Sequence, residues 1–235
     1  MKKIDRIKKL LETNYNLKGN KLDYFPKTNK ELIELVNKII HEYGDDVDLN
    51  NIFVSYIDNF ENIFSYRETF NGDVSEWDVS NGLTFYYMFD GCESFNSDLS
   101  KWDISSGKRF GFMFYNCYKF NYDLSRWNVS FGENFIYMFY KCGKFVCDLS
   151  KWDVSNGKDF DNMFCNCIGF NSDLSKWDVS NGWSFRSMFY ECKNFKSDLS
   201  GWNVSNAKYW ENFAYKSLLE KYPERIPEKF RKDYL

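Results

Sequence analysis

The sequence predicts an α/β repeat fold: a right-handed solenoid with a parallel β-sheet, short helices on the other side, and helical caps at both ends. Three observations predict it. The chain restates itself every 25 residues, as in "WDVSNGLTFYYMFDGCESFNSDLSKW" from Trp77 and "WDISSGKRFGFMFYNCYKFNYDLSRW" from Trp102. That period fits a solenoid coil and is too short for a propeller blade or a two-helix repeat. Each unit joins an alternating stretch to a stripe of helical spacing. The segments before and after the repeats lack the motif and carry the 3 prolines.

Residues 1–44 read as the N-terminal helical cap. "MKKIDRIKKLLETNYNLKGN" is interrupted by charge and has no signal-peptide core. A short helix is expected around Ile4–Leu11. Thr28-Asn29-Lys30-Glu31 forms a capping box after Pro26. Leu32, Leu35, Val36, Ile39, Ile40 and Tyr43 then make one apolar face that Gly44 ends.

Residues 45–217 read as the solenoid. With Phe70 as position 1, units begin at Phe70, Phe95, Phe120, Phe145 and Phe170, with a degenerate one at Phe195 and an eroded earlier copy over Val47–Phe64. In "SKWDIS", Trp102 and Ile104 face one way and Lys101 and Asp103 the other, the pattern of a strand with one buried face. "FxxMFxxCxxF" follows at i, i+3, i+4, i+7 and predicts a short helix or 3₁₀ segment. Gly at position 13 marks the turn between the halves, through a positive φ or close packing. Residues 218–235 read as a C-terminal cap tail, preceded by a closing helix in "YWENFAYKSLLEKY".

The motif "FNSDLSKWD" with Met-Phe and Cys at fixed offsets resembles the BspA-like leucine-rich-repeat surface proteins of bacteria, the repeat of mycoplasma-lipoprotein type. The resemblance covers about Asp45 to Ser217. It implies a leucine-rich-repeat-like fold, adhesion or protein binding as the role, and a surface or secreted location. The sequence as written, with no signal peptide and no apolar run of spanning length, gives a cytoplasmic expectation instead.

Chemistry is sparse. A net charge of -3 gives no electrostatic case for nucleic acid or an anionic membrane. The single histidine, His41, lies on the cap helix, and no convergent catalytic groups are visible, so the reading is non-enzymatic with no cofactor and no metal. The position-4 ladder of Asp73, Asp98, Asp123, Asp148, Asp173 and Asp198 reads as carboxylates accepting backbone N–H groups in tight turns rather than as calcium ligands. The position-23 cysteines read as buried, reduced thiols; Cys165 is expected on the exposed side of its stripe and Cys147 in a turn. Lys at position 7 and Asp at position 9 predict a salt-bridged lattice on the outer face of the sheet.

Positions around the stripe vary, and they vary toward rings. Tyr86, Tyr87, Phe112, Tyr115, Tyr118, Ile136, Tyr137 and Tyr140 fall in three consecutive coils. Unselected surface positions drift toward Lys, Glu, Ser and Asn. Exposed Tyr among Gly, Ser and Asn is paratope chemistry. These eight residues are therefore the predicted contact surface for a protein partner. A carbohydrate-binding or adhesin module taking glycan, and a structural spacer, are the alternatives.

Overall fold

The computed structural model describes residues 23–235. Helix α1 (Asn29–Tyr43) begins where Thr28 Oγ1 accepts the Glu31 N–H at 3.2 Å and ends at Gly44, whose φ of 90° suits glycine. Glu31 reaches back to the Lys27 N–H at 2.8 Å. Leu32, Val36, Ile39 and Ile40 are buried, Leu35 is half-buried, and Tyr43 is 65% exposed. Tyr43 thus leaves the expected apolar face. The segment expected as a helix at Ile4–Leu11 lies outside the described residues.

From Asp45 onward the chain advances one coil per 25 residues, and neighbouring coils are joined by backbone hydrogen bonds. The placement of those bonds differs from the sequence expectation. At the tryptophan segment no strand forms, because the backbone is consumed by turns. Asp98 Oδ1 accepts the Ser100 N–H at 2.9 Å, and Asp103 Oδ1 accepts the Ser105 N–H at 3.1 Å. Between them the Trp102 N–H closes on Leu99 O and the Gly107 N–H on Ile104 O, at 3.1 and 2.8 Å. Alternate burial survives, with Trp102 and Ile104 inside and Lys101 and Asp103 outside. The Asp-x-Ser pairs have captured the N–H groups that a strand would have offered to its neighbours.

The inter-coil ladder lies instead along the Met-Phe segment, where a helix was expected. Position-16, -18, -20 and -22 N–H groups donate to the next coil: Phe85 to Arg109 O, Tyr87 to Gly111 O, Phe89 to Met113 O and Gly91 to Tyr115 O, at 2.8–3.2 Å. Intervening N–H groups close local turns, as Met88 to Phe85 O and Cys92 to Phe89 O. Parallel bridges from Asn59 through Thr84, Arg109, Asn134, Asp159 and Ser184 to Tyr209 all fall at position 15. Two successive four-residue turns repeat an apolar face at i, i+3, i+4, i+7 as a helix does. The spacing alone therefore cannot separate them.

The core is made of ring columns. Phe85 stacks on Phe110 at 5.7 Å, Phe89 on Phe114 at 5.6 Å, Phe95 on Phe120 at 5.9 Å and Trp77 on Trp102 at 6.5 Å. Each such pair contributes about 0.5–1.5 kcal/mol beyond its area. Trp102 Nε1 donates to Val74 O of the preceding coil at 3.0 Å, and the Cys117 thiol donates to Phe89 O at 3.0 Å. Both polar atoms are satisfied inside an apolar stack. Position-13 glycine is there for close packing: a Cβ on Gly107 would stand 2.4 Å from the Phe110 ring.

Both open ends are closed by side chains that imitate a further coil. Asn29 Nδ2 donates to Asn59 O at 3.1 Å and to Glu61 O at 2.9 Å, the carbonyls that interior coils offer to a preceding backbone. At the far end the Ala214 N–H donates to the Tyr234 hydroxyl at 2.6 Å and the Lys216 N–H to Glu220 Oε2 at 2.9 Å. Burial pushes the Tyr234 phenol up to about 12, so it stays neutral. Unpaired edges of this kind invite chain-to-chain pairing, and these side chains cover two of the ladder positions at each end. The closing helix expected in "YWENFAYKSLLEKY" is not formed. The turns continue through Lys216, and 3₁₀ turns at Leu219–Lys221 and Pro223–Arg225 precede helix α2 (Glu228–Arg231). Phe230 of α2 packs 5.1 Å from both Trp210 and Phe213.

Candidate interaction surface

Positions 17, 18 and 21 of the turn segment point away from the phenylalanine columns. Stacking of coils therefore sets their side chains side by side. Tyr87 lies on Phe112 at 4.5 Å, Phe112 on Tyr137 at 4.7 Å and Tyr115 on Tyr140 at 4.7 Å. Tyr86 meets Tyr87 edge-on at 4.7 Å. Tyr115 bridges the two rows through Phe112 at 5.5 Å. All six rings are half-buried. Ile136 joins them over Gly111: a Cβ there would meet Tyr86 Cε2 at 2.3 Å and Ile136 Cγ2 at 2.8 Å. Gly111 thus lets the patch close over the backbone, a contribution the sequence reading missed. Tyr118 is placed apart. It packs over Gly143, with Lys144 Nζ 5.8 Å from its ring, and is 49% exposed.

The backbone beneath the first row was not foreseen. Tyr87, Phe112 and Tyr137 have φ of 57°, 57° and 54°, in the left-handed region. Other coils place Asn62, Asn162, Ser187 and Asn212 at the same position. Asparagine tolerates that conformation, whereas a bulky side chain is strained there. Position 22 is left-handed as well, at Tyr66, Gly91, Asn116, Lys141, Asn166, Glu191 and Lys216. The recurrence of Asn and Gly at these two positions was the available signal for turns in place of a helix.

Burial raises the phenol pKa of Tyr86, Tyr87, Tyr115, Tyr137 and Tyr140, so the patch stays uncharged. Charge marks its borders. Arg109 lies 4.8 Å over the Tyr86 ring, and Arg186 pairs with Asp161 at 3.4 Å one coil beyond Tyr137.

Elsewhere the reactive groups are spent on structure. The position-4 and position-9 carboxylates hold serine N–H groups, as Asp148 holds Ser150 and Asp153 holds Ser155 at 2.9 and 3.0 Å. Serine hydrogen bonds lower the pKa of Asp123, Asp148, Asp173, Asp178 and Asp198. The expected Lys–Asp lattice is thereby altered: Asp103 turns to its own backbone, and Lys101 pairs with Glu76 of the preceding coil at 3.4 Å. Cys165 corrects another expectation. It is 4% exposed, standing in the column between Tyr140 and Tyr190, and burial pushes its thiol up to about 11. Cys147 is also buried, taking the Leu124 N–H at 3.1 Å as Ser172 takes that of Leu149. Among the described residues no group of three His, Cys, Asp or Glu side chains is placed to hold a metal ion. None of the described helices is long and apolar enough to cross a membrane.

A family model described as "Mycoplasma protein of unknown function, DUF285" matches residues 34–148 and 127–221. No curated protein and no solved structure matches the chain.

Proposed function

The chain belongs to the DUF285 family, and from that premise we propose that it is a non-enzymatic recognition scaffold that docks a protein partner on its aromatic patch. One observation carries the reading: Tyr87, Phe112 and Tyr137 form a stacked row on left-handed backbone where other coils use Asn or Ser. A left-handed conformation costs a non-glycine residue about 1–2 kcal/mol. Drift toward asparagine would relieve the strain, so three consecutive rings there are better explained by something that uses them. A row fixed by the stacked core loses little freedom on docking, and Tyr-rich patches of this kind make interface hot spots.

The reading extends to the fold and its family setting. The 25-residue period and the bridges in parallel register at position 15 support a right-handed solenoid of the BspA-like leucine-rich-repeat kind. Protein partners are favoured over glycans, because both faces of Phe112 are already covered by Tyr87 and Tyr137. A sugar platform needs an open ring face.

The test is cross-linking capture from the native cell with the wild type and with a Tyr87→Asn, Phe112→Asn, Tyr137→Asn triple variant. A captured protein that the variant no longer retains is expected. Equal capture by both, or loss only when Lys101 and Asp103 are charge-reversed, would place the site elsewhere.

A further inference from the structure

At the N-terminal end of the patch the repeat pattern is broken at two adjacent positions. Position 21 carries a ring at Tyr115, Tyr140, Tyr190 and Tyr215, a small side chain at Ser65 and Cys165, and a carboxylate only at Asp90. Position 22 carries a side chain in the coils on either side, Tyr66 and Asn116, but none at Gly91. The missing side chain leaves a cleft of about 360 Å³. A Cβ on Gly91 would stand 3.5 Å from Tyr66 Cα, in ordinary contact. Rings of Tyr66, Tyr87 and Tyr115 wall the cleft, Asp90, Glu68 and Glu93 supply carboxylates, and none of the lining residues is a lysine or arginine.

The protein fills the same register itself farther along. Lys141 at position 22 lies 5.4 Å over the Tyr140 ring. Lys216 at position 22 lies 5.7 Å over Tyr190 and 3.4 Å from Glu191. At Lys216 a position-22 ammonium is thus held by a tyrosine face with a carboxylate beside it, while Lys141 shows the tyrosine contact alone. Around Gly91 the position-21 rings give way to Asp90 and Ser65, and the cleft draws its rings instead from Tyr66, Tyr87 and Tyr115, with no cation among its lining residues. Asp90 is 4% exposed and takes a hydrogen bond from Tyr66, which replaces only part of the hydration its carboxylate has lost; an entering cation would offset the rest.

We propose that the cleft at Gly91 is a socket for a cationic side chain, lysine or arginine, presented by the protein partner. The inference rests on the protein-binding reading of the aromatic patch and names the chemistry of one contact within it.

The test is an NMR titration of the full chain with the N-acetyl methylamides of lysine and arginine, and of norleucine as the uncharged control. A cationic analogue should shift Tyr66, Tyr87 and Tyr115 ring signals saturably, with norleucine about tenfold weaker. Gly91→Lys should fill the socket and abolish the response; it lowers the unfolding midpoint through its left-handed φ but should still fold, since Lys141 and Lys216 adopt φ of 58° and 59° in this register. Asp90→Asn should weaken it about tenfold and serves if Gly91→Lys does not fold. Equal response to norleucine, no response to either cation, or indifference to both substitutions overturns the socket. Partner capture separates the two readings. Capture kept by Gly91→Lys but lost in the triple ring variant overturns the socket alone, and capture kept by the triple variant overturns the patch.

Discussion

Replacing Phe112 by asparagine tests whether the stacked row is display or core. Two terms oppose each other. The ring is stacked on both faces, at 4.5 Å on Tyr87 and 4.7 Å on Tyr137, and losing both contacts costs about 1–3 kcal/mol. Against this, φ at Phe112 is 57°, where Asn62, Asn162 and Asn212 sit in other coils; asparagine relieves about 1 kcal/mol of strain. The net loss should be about 0–2 kcal/mol. Phe114, two residues on and 0% exposed, has no such relief, and Phe114→Ala should cost about 3–5 kcal/mol. Urea unfolding followed by tryptophan fluorescence measures both, with an unchanged m-value confirming that the denatured ensemble is comparable. A loss for Phe112→Asn as large as that for Phe114→Ala would make the row a structural pillar and remove the argument for a binding face. Pairing Phe112→Asn with Tyr137→Asn should return a coupling of about 0.5–1.5 kcal/mol, since the two rings share one contact.

Asn29→Ala strips the donor from Asn59 O and Glu61 O; about 1–3 kcal/mol should be lost, and sedimentation should show concentration-dependent association through the opened edge. Cys165 should resist a thiol reagent in the folded protein and react on denaturation, because burial holds its thiol at about 11; rapid native labelling would put it back on the surface. Asp159 gives a pH signature. Burial first, then the charge of Asp161, pushes its carboxyl up to about 6. The folded chain then binds more protons than the unfolded one between about pH 4 and 6, so this residue's contribution falls as pH rises through that window. Asp159→Asn should be more stable than the wild type at pH 7, on the order of 1 kcal/mol after solvent screening, and equal to it at pH 4. Asn134 already fills that role in the preceding coil, accepting the Ile136 N–H at 3.4 Å. An equal gain at both pH values would contradict the assignment.

The repeat by itself settled which of the recurring residues face inward and which of them stand beside which. Phe, Trp, Met and Cys recur at fixed offsets, and stacking units of one length must align them into columns; Tyr87, Phe112 and Tyr137 are adjacent for that reason. The Asp-x-Ser turns and the Thr28 cap were legible too, because each is a bond between neighbours in the chain. What the tertiary structure decided is where the backbone sends its alternate N–H groups. The spacing of Phe110, Met113, Phe114 and Cys117 fits a helix and a pair of four-residue turns equally, and the choice is made by carbonyls one coil away, such as Asn134 O accepting from Phe110. The same long-range dependence placed the ladder opposite the tryptophans, buried Cys165 and drew Tyr118 aside onto Gly143. It also turned the absent side chain of Gly91 into a cleft, since a gap has a shape only when the coils on both sides of it are in place.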